Sequence, residues 1–503
     1  MHQRRVLLVA LVALVGAASS LASCGGGSDT ASGPTPPGPD RPNVVVIMTD
    51  DQTTESLRVM ERTQALLADE GTTFVNGIAT FPLCCPARSQ FLTGQYAHNN
   101  GVRDNTPPDG GEPALDDSET LAVWLQRAGY TTAHVGKYLN AYTRAEQDTV
   151  PPGWDRWFAL FDPTATDYFD YDVNENGRVT HRGTADADYQ TDVLADEAVA
   201  QVHALADGDA PFYLNFWPAA PHTGTGPGSI SFSPAPAPRH LGDFAEEALP
   251  DLPAIGESDI TDKPAYVQGI EPDFRLGVVA YNLENGTDLT LEDLTAEAYR
   301  RYLESLLAVD EAVGRLVDAL DEEGVLDDTL IAFVSDNGWS FGEHRIHFAK
   351  VLPYENVVRV PFLVRGAGFA AGAVEDEQVG LLDLPATILA ATGAAPRLAL
   401  DGRPLPGGPG AAESPPRALL LESPPRGSGR IPHYDGVRTD RYTYVEYETG
   451  EIELYDRSVD PDQLTNLAAD PAEAATRAGL AALLDQLQGC AGTACHLPVP
   501  AGL

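Results

Sequence analysis

Four short apolar runs constrain the fold of this chain more than any other feature. They are VVVIM (Val44–Met48), TTAHV (Thr131–Val135), FYLNF (Phe212–Phe216) and LIAFV (Leu330–Val334). Rich in β-branched and aromatic residues, they read as parallel strands buried on both faces. Helical patterns lie between them. SETLAVWLQRAG opens at a capping serine, Ser118, and stops at Gly129. YLESLLAVDEAVGRLVDALDEEG places Leu306, Val309, Val313, Leu316, Val317 and Leu320 on one helical face. This alternation predicts an α/β architecture, a large doubly wound mixed sheet flanked by helices.

Two stretches interrupt the pattern. From about Thr223 to Thr290 the chain turns Pro-, Gly- and Asp-rich, as in a long insertion over one face of the sheet. DGRPLPGGPGAAESPPR, from Asp401, separates a C-terminal part. There RYTYVEYETGEIELYD alternates around a Thr449-Gly450 turn, the pattern of an antiparallel hairpin, and a closing helix is expected over Pro471 to Gln488. The expected division is a large α/β domain over residues 42–410 and a smaller α+β subdomain, antiparallel sheet and helix, over 411–503.

Arg4 and Arg5 precede an apolar run from Val6 to Ala18, a secretory signal too short to span a membrane. It ends in Leu21-Ala22-Ser23-Cys24, which resembles the lipobox of bacterial lipoproteins, whose cysteine is lipidated. GGGSDTASGPTPPGPD comes next as a tether. Residues 1–24 are therefore expected to be signal and lipobox, and 25–41 a linker. The protein would be exported and lipid-anchored to the outer face of a bacterial membrane, touching it through the anchor only. In an oxidising compartment Cys490 and Cys495 are expected to form a local disulfide. Cys84 and Cys85 remain, and adjacent cysteines rarely bond one another comfortably. With 74 acidic against 32 basic residues and a formal net charge of −42, nucleic acid is excluded as a general partner. Any anionic ligand must be held by a local basic pocket.

Each apolar run leads into chemically distinctive residues: Asp50-Asp51, Lys137, His222 and Asp336-Asn337. In open α/β sheets, ligands bind at the carboxyl ends of the strands. Asp50, Asp51, Asp336 and Asn337 offer oxygen ligands alone, which suits a hard divalent cation such as Ca²⁺ or Mg²⁺. Lys137, His222, Arg88 and Lys350 add donors around one tetrahedral anion, sulfate or phosphate.

Cys84-Cys85-Pro86-Ala87-Arg88, with Leu92-Thr93-Gly94 downstream, resembles the sulfatase signature Cys-x-Pro-x-Arg…Leu-Thr-Gly. The likeness continues through PNVVVIMTDDQ, GKYLN, SDNGWSFGEH, VRVPFLVRG, DLPATILAATG and ELYDRSVDPDQLTNL, from Arg41 to Leu467. The doubled cysteine and GKYLN look closest to the N-acetylglucosamine-6-sulfatase branch of this alkaline-phosphatase-like superfamily. The resemblance implies that Cys84 is converted to formylglycine by a formylglycine-generating enzyme during maturation, with Cys85 a structural neighbour. A thiolate attacking a sulfate ester would be left S-sulfonated. An aldehyde hydrate has two hydroxyls on one carbon, one to attack sulfur and one to expel sulfate. By position, Asp50, Asp51, Asp336 and Asn337 would bind Ca²⁺ (or Mg²⁺), Arg88 would neutralise the hydrate oxygen, and Lys137 and Lys350 would hold sulfate oxygens. His222 would contact sulfate or assist proton transfer, and either His222 or Lys350 would protonate the leaving alcohol. Ala87, Leu139 and Thr223 depart from residues common in the family. His98, His344 and His347 are expected to be hydrogen-bonded structural histidines, with His344 the nearest to a supporting role.

The expected function is hydrolysis of a sulfate monoester, on a short or terminal sulfated saccharide or an aryl sulfate, to alcohol and sulfate. The alternatives are a phosphonate monoester or phosphodiester hydrolase on the same scaffold, and a non-catalytic lipoprotein that binds sulfated glycans.

Overall fold

The computed structural model describes residues 41–143 and 149–503; the signal, Cys24 and the linker up to residue 40 lie outside them. A ten-stranded sheet forms the centre. Five neighbouring strands run parallel in the order Thr329–Ser335, Asn43–Thr49, Phe212–Trp217, Thr131–Lys137, Arg156–Leu160. The four apolar runs of the sequence are thus adjacent at its middle. Phe362–Arg365 joins one side antiparallel, and Tyr171–Glu175 the other. The sheet is mixed, as expected.

Alternation along one strand explains why both faces are buried. Val45 and Ile47 point into one core, while Val44, Val46 and Met48 point into the other. The helices Gln190–Ala206 and Leu291–Glu322 cover the first face, and Cys84–Thr93, Leu121–Arg127 and Asp383–Thr392 cover the second. Leu291–Glu322 opens with a reciprocal cap in which Asp293 N–H donates to the Thr290 hydroxyl and Thr290 N–H to the Asp293 carboxylate.

One expectation needs correction. Ser118 does not cap a helix. Its N–H and hydroxyl both donate to the Asp116 carboxylate, so the chain turns there and the helix begins at Leu121 behind Thr120. Within the Pro-, Gly- and Asp-rich Thr223–Thr290 stretch, Ala265–Asn285 is a 21-residue helix with Pro272 inside it. Val267, Ile270, Phe274, Val278 and Tyr281 recur on its packed side, while Leu276, Val279 and Leu283 are exposed, so apolar residues on both sides blur the pattern in the sequence.

Beyond Asp401 a four-stranded antiparallel sheet forms in the order Leu419–Glu422, Tyr434–Arg438, Tyr442–Tyr447, Ile452–Asp456. The expected hairpin pairs Tyr444 with Leu454, and the helix Ala474–Leu487 packs Leu480, Leu484 and Leu487 on the sheet. Cys490 and Cys495 form the expected disulfide. Among the described residues no helix is long and apolar enough to cross a membrane.

Candidate active site

The helix Cys84–Thr93 is buried along all ten residues. Pro86 stands in its first turn, where the missing N–H would have had no helical partner. Gly94 ends it in a left-handed conformation, φ 66°. Residues four apart share a helical face, so Cys84 and Arg88 look the same way. Cys85, Ala87, Phe91 and Leu92 turn instead into the core. The doubled cysteine therefore separates by face, one thiol towards the strand ends and one into apolar packing. Neither is in a disulfide.

Cys84 Sγ meets the ends of the central strands. It lies 3.3 Å from Asp50 Oδ1 and accepts from Lys350 Nζ at 2.9 Å. Arg88 is wholly buried. Its Nε donates to Asp336 Oδ2 at 2.8 Å, Nη2 to Asp50 Oδ2 at 3.1 Å and Nη1 to the Lys137 carbonyl at 2.8 Å. The guanidinium carbon stands 5.3 Å from the Trp217 ring centroid. Lys137 pairs with Asp50, and Lys350 with Asp51 Oδ1 at 2.6 Å. Asn337 Nδ2 donates to Asp51 Oδ1 at 2.6 Å, and Asp51 N–H donates to Asp336 Oδ1 at 3.1 Å. His222 Nε2 stands 3.6 Å from Asp51 Oδ2, with its Nδ1 2.6 Å from the Thr223 carbonyl. All nine sequence-picked residues come together, with contacts such as Lys350 to Asp51 spanning 299 positions.

Local backbone makes this convergence possible. Asp51 has φ 70°, a left-handed turn immediately after the strand. Gly136, just before Lys137, lies so close to the next strand that a Cβ would fall 2.0 Å from the Trp217 carbonyl oxygen. Lys350 follows the short strand His347–Ala349 between left-handed Phe348 and Val351. That irregular loop carries the ammonium to Cys84.

Three cations and three carboxylates occupy this buried space, and each shifts the others. Burial opposes ionisation of Asp50, but Lys137, His222, Arg88 and Lys350 hold its pKa well below the usual carboxylate range. Asp336 is pushed up to about 6 by burial and by the Asp50 charge. Burial works against the ammonium groups of Lys137 and Lys350, yet the carboxylates beside them outweigh it and both are raised. Burial, then Asp50, pushes the Cys84 thiol up, and burial takes Cys85 to about 12. His222 is lowered by burial against the pull of Asp51 and Asp50.

Two buried oxygens in the cluster, Asp51 Oδ2 and Asn337 Oδ1, have no hydrogen-bond partner among the described residues. Ligand atoms of Asp50, Asp51, Cys84 and His222 lie within 4.8 Å of one another. An orphaned pair of hard oxygens beside two further carboxylates fits a divalent cation.

Some contributors carried no sequence signal. Tyr302, on the long helix, donates its hydroxyl to the Asp51 carbonyl at 2.9 Å and accepts from Thr53 N–H at 2.7 Å. Trp217 and Trp339 lie beneath Arg88 and Lys350. Leu139 packs into the core, so the second position after Lys137 supplies no donor. The three histidines expected to be structural are hydrogen-bonded: His98 to Glu422 and the Cys490 carbonyl, His344 to Glu257, and His347 to Thr295.

A family model described as Sulfatase matches residues 42–394. An arylsulfatase of Volvox carteri is 34% identical over 514 residues, covering 91% of this chain and 76% of that protein. Human N-acetylglucosamine-6-sulfatase is 29% identical, covering 92% of this chain and 87% of its own. A structure solved in complex with its substrate, D-glucosamine-2-N,6-O-disulfate, superposes with a TM-score of 0.72 at 25% identity, over 89% of this chain and 97% of that one.

Proposed function

The chain belongs to the sulfatase family and is a sulfate-ester hydrolase; we propose that Cys84, as formylglycine, is its reacting residue and that Asp50, Asp51, Asp336 and Asn337 hold Ca²⁺ beside it. The observation that carries this reading is the position of Cys84 Sγ between Asp50 and Lys350, with Arg88 one turn along the same helical face. The formylglycine hydrate would supply a geminal diol, one hydroxyl to take the sulfuryl group and the other to release it. A bound Ca²⁺ would polarise sulfate oxygens and offset the clustered carboxylates.

The residues of this chain then divide the remaining work. Arg88 and Lys137 keep Asp50 ionised and fixed against the reacting side chain. Lys350, held over Cys84 and over the Trp339 ring, puts positive charge where sulfate oxygens develop charge. His222, which also lines the neighbouring cavity, would in its protonated form, with Nε2 beside Asp51, give a proton to the leaving alcohol.

The substrate is a sulfate monoester of a short or terminal saccharide, or of an aryl alcohol. Residues 42–410 form the catalytic part and 411–503 the C-terminal subdomain. Leu21 to Cys24 support an exported protein anchored through lipid.

Mass spectrometry of the tryptic peptide Thr63–Arg88, from protein of a host that makes formylglycine, tests the central claim. Expected is replacement of thiol sulfur by aldehyde oxygen, with loss of two hydrogens, at Cys84 and not at Cys85. An unmodified thiol in protein that still releases sulfate would overturn the assignment.

A further inference from the structure

The cavity outside His222 has a volume of about 620 Å³, a size suited to one small ligand. Ile230, Phe232 and Tyr281 give it apolar walls, and Asp167 and Glu284 stand among its polar ones. Phe232 is 41% exposed and held at a left-handed φ of 65°. Its ring stacks on Phe348 with centroids 4.5 Å apart, and Phe348 precedes Lys350 by two residues. The cavity is thus built against both His222 and the Lys350 loop.

Its charge is unusual for an enzyme acting on anions. No lysine or arginine lines it among the described residues. Asp167 is fixed by the Thr225 hydroxyl, and neither Asp167 nor Glu284 pairs with a cationic side chain among the described residues. Tyr281, Glu284 and Asn285, in the last turn of the helix Ala265–Asn285, line the cavity, so the negative end of that helix stands beside it. Deeper in, Arg88, Lys137 and Lys350 are each already matched by a carboxylate. A second sulfate on the leaving group would find no partner and would face two carboxylates.

We propose that this cavity selects a ring-bearing alcohol with no second anionic group, and that Asp167 and Glu284 set that preference. The inference rests on the sulfate-ester reading above and deepens it. Phe232 and Tyr281 offer faces for a sugar or aryl ring, while the carboxylates tolerate a neutral or amine-bearing substituent and repel a sulfated one. Two partly solvated like-charge contacts plus a helix end amount to about tenfold in kcat/KM.

The test compares sulfate release from N-acetylglucosamine 6-O-sulfate with that from glucosamine 2-N,6-O-disulfate. It uses the full mature chain, at low salt and at about 0.5 M salt, where screening is strong. The expected result is a preference of about tenfold for the monosulfate, shrinking severalfold at high salt. In D167N/E284Q the preference should also shrink severalfold, with an unshifted melting temperature showing that the variant is folded. Equal or faster turnover of the disulfate by the wild type overturns the proposal, as does a preference that neither salt nor the double substitution changes. The salt series needs no variant, so misfolding cannot shelter the idea. Failure to hydrolyse any ester, nitrophenyl sulfate included, would overturn the sulfate-ester reading and this inference with it, a result distinct from an unchanged ratio.

Discussion

Replacing Arg88 with methionine removes the charge at the centre of the cluster and keeps most of the side-chain volume. Two buried carboxylates, Asp50 and Asp336, then lose a hydrogen-bonded counterion, and the Lys137 carbonyl loses its donor. Removing one partner of a buried ion pair costs about 3–5 kcal/mol. The loss should depend on pH in a definite direction. Asp336 is pushed up to about 6 by burial and Asp50, and Arg88 is the largest force holding it down. In the unfolded chain the group returns to its ordinary value of 3.8. A carboxyl whose folded value lies above its unfolded one costs stability as pH rises through that interval. Without Arg88 the folded value rises further and the interval widens. The deficit of R88M should therefore grow between about pH 5.5 and pH 8, by about 1.4 kcal/mol for each unit of added shift. Guanidinium unfolding of chelator-treated wild type and R88M at both pH values measures it. A deficit under about 1 kcal/mol at both, or one that does not change with pH, would refute the claim that Arg88 is the counterion of these two carboxylates.

Removing metal with a chelator should lower the melting temperature, and Ca²⁺ at a hundred times its Kd should restore about 2.7 kcal/mol of stability. Asn337→Ala should lose most of that increment by calorimetric titration, and a wild type indifferent to Ca²⁺ would contradict the assigned ligands. His222→Gln should slow hydrolysis of alkyl sulfates by about 10²–10⁴, and of nitrophenyl sulfate much less, because only the poor leaving group needs a proton; equal losses on both would remove His222 from that role. Acid should unfold the protein through His134, which stacks on Trp157 at 4.7 Å and is pushed down to about 3 by burial. The unfolded chain takes up this proton near 6.5 and the folded one resists it, so stability present above pH 6.5 falls towards pH 3 at about 1.4 kcal/mol per unit. Against burial, Arg438 and Arg457 hold Glu355 at about 2, which steepens the loss below its ordinary 4.5. His134→Phe should flatten the melting profile between pH 4 and 6.5, and an unchanged slope would exclude the histidine as its source.

Local pattern decided a good deal in advance. Continuous apolar runs marked the four middle strands, because a strand covered on both faces has no polar positions to spare. The polar residues at their ends marked the site, because those ends open onto one rim of the sheet. The spacing of Cys84 and Arg88 set them on one helical face, and the short interval between Cys490 and Cys495 allowed their bond. Where local signals competed, the reading slipped. Asp116 captured Ser118, and in Ala265–Asn285 an internal Pro272 and apolar residues on both the packed and the exposed side blurred the helical pattern. Lys350 ends no predicted strand, and only the tertiary structure brings its irregular loop 2.9 Å from Cys84. The same holds for the left-handed turn at Asp51, for Tyr302 beneath it, and for the unpaired acids that face the outer cavity. Periodicity and helical spacing are carried by neighbouring residues and survive in the linear order. Which charge meets which, and at what pKa, depends on burial and on contacts spanning hundreds of residues, such as Arg88 with Asp336, and those exist once the chain has closed on itself.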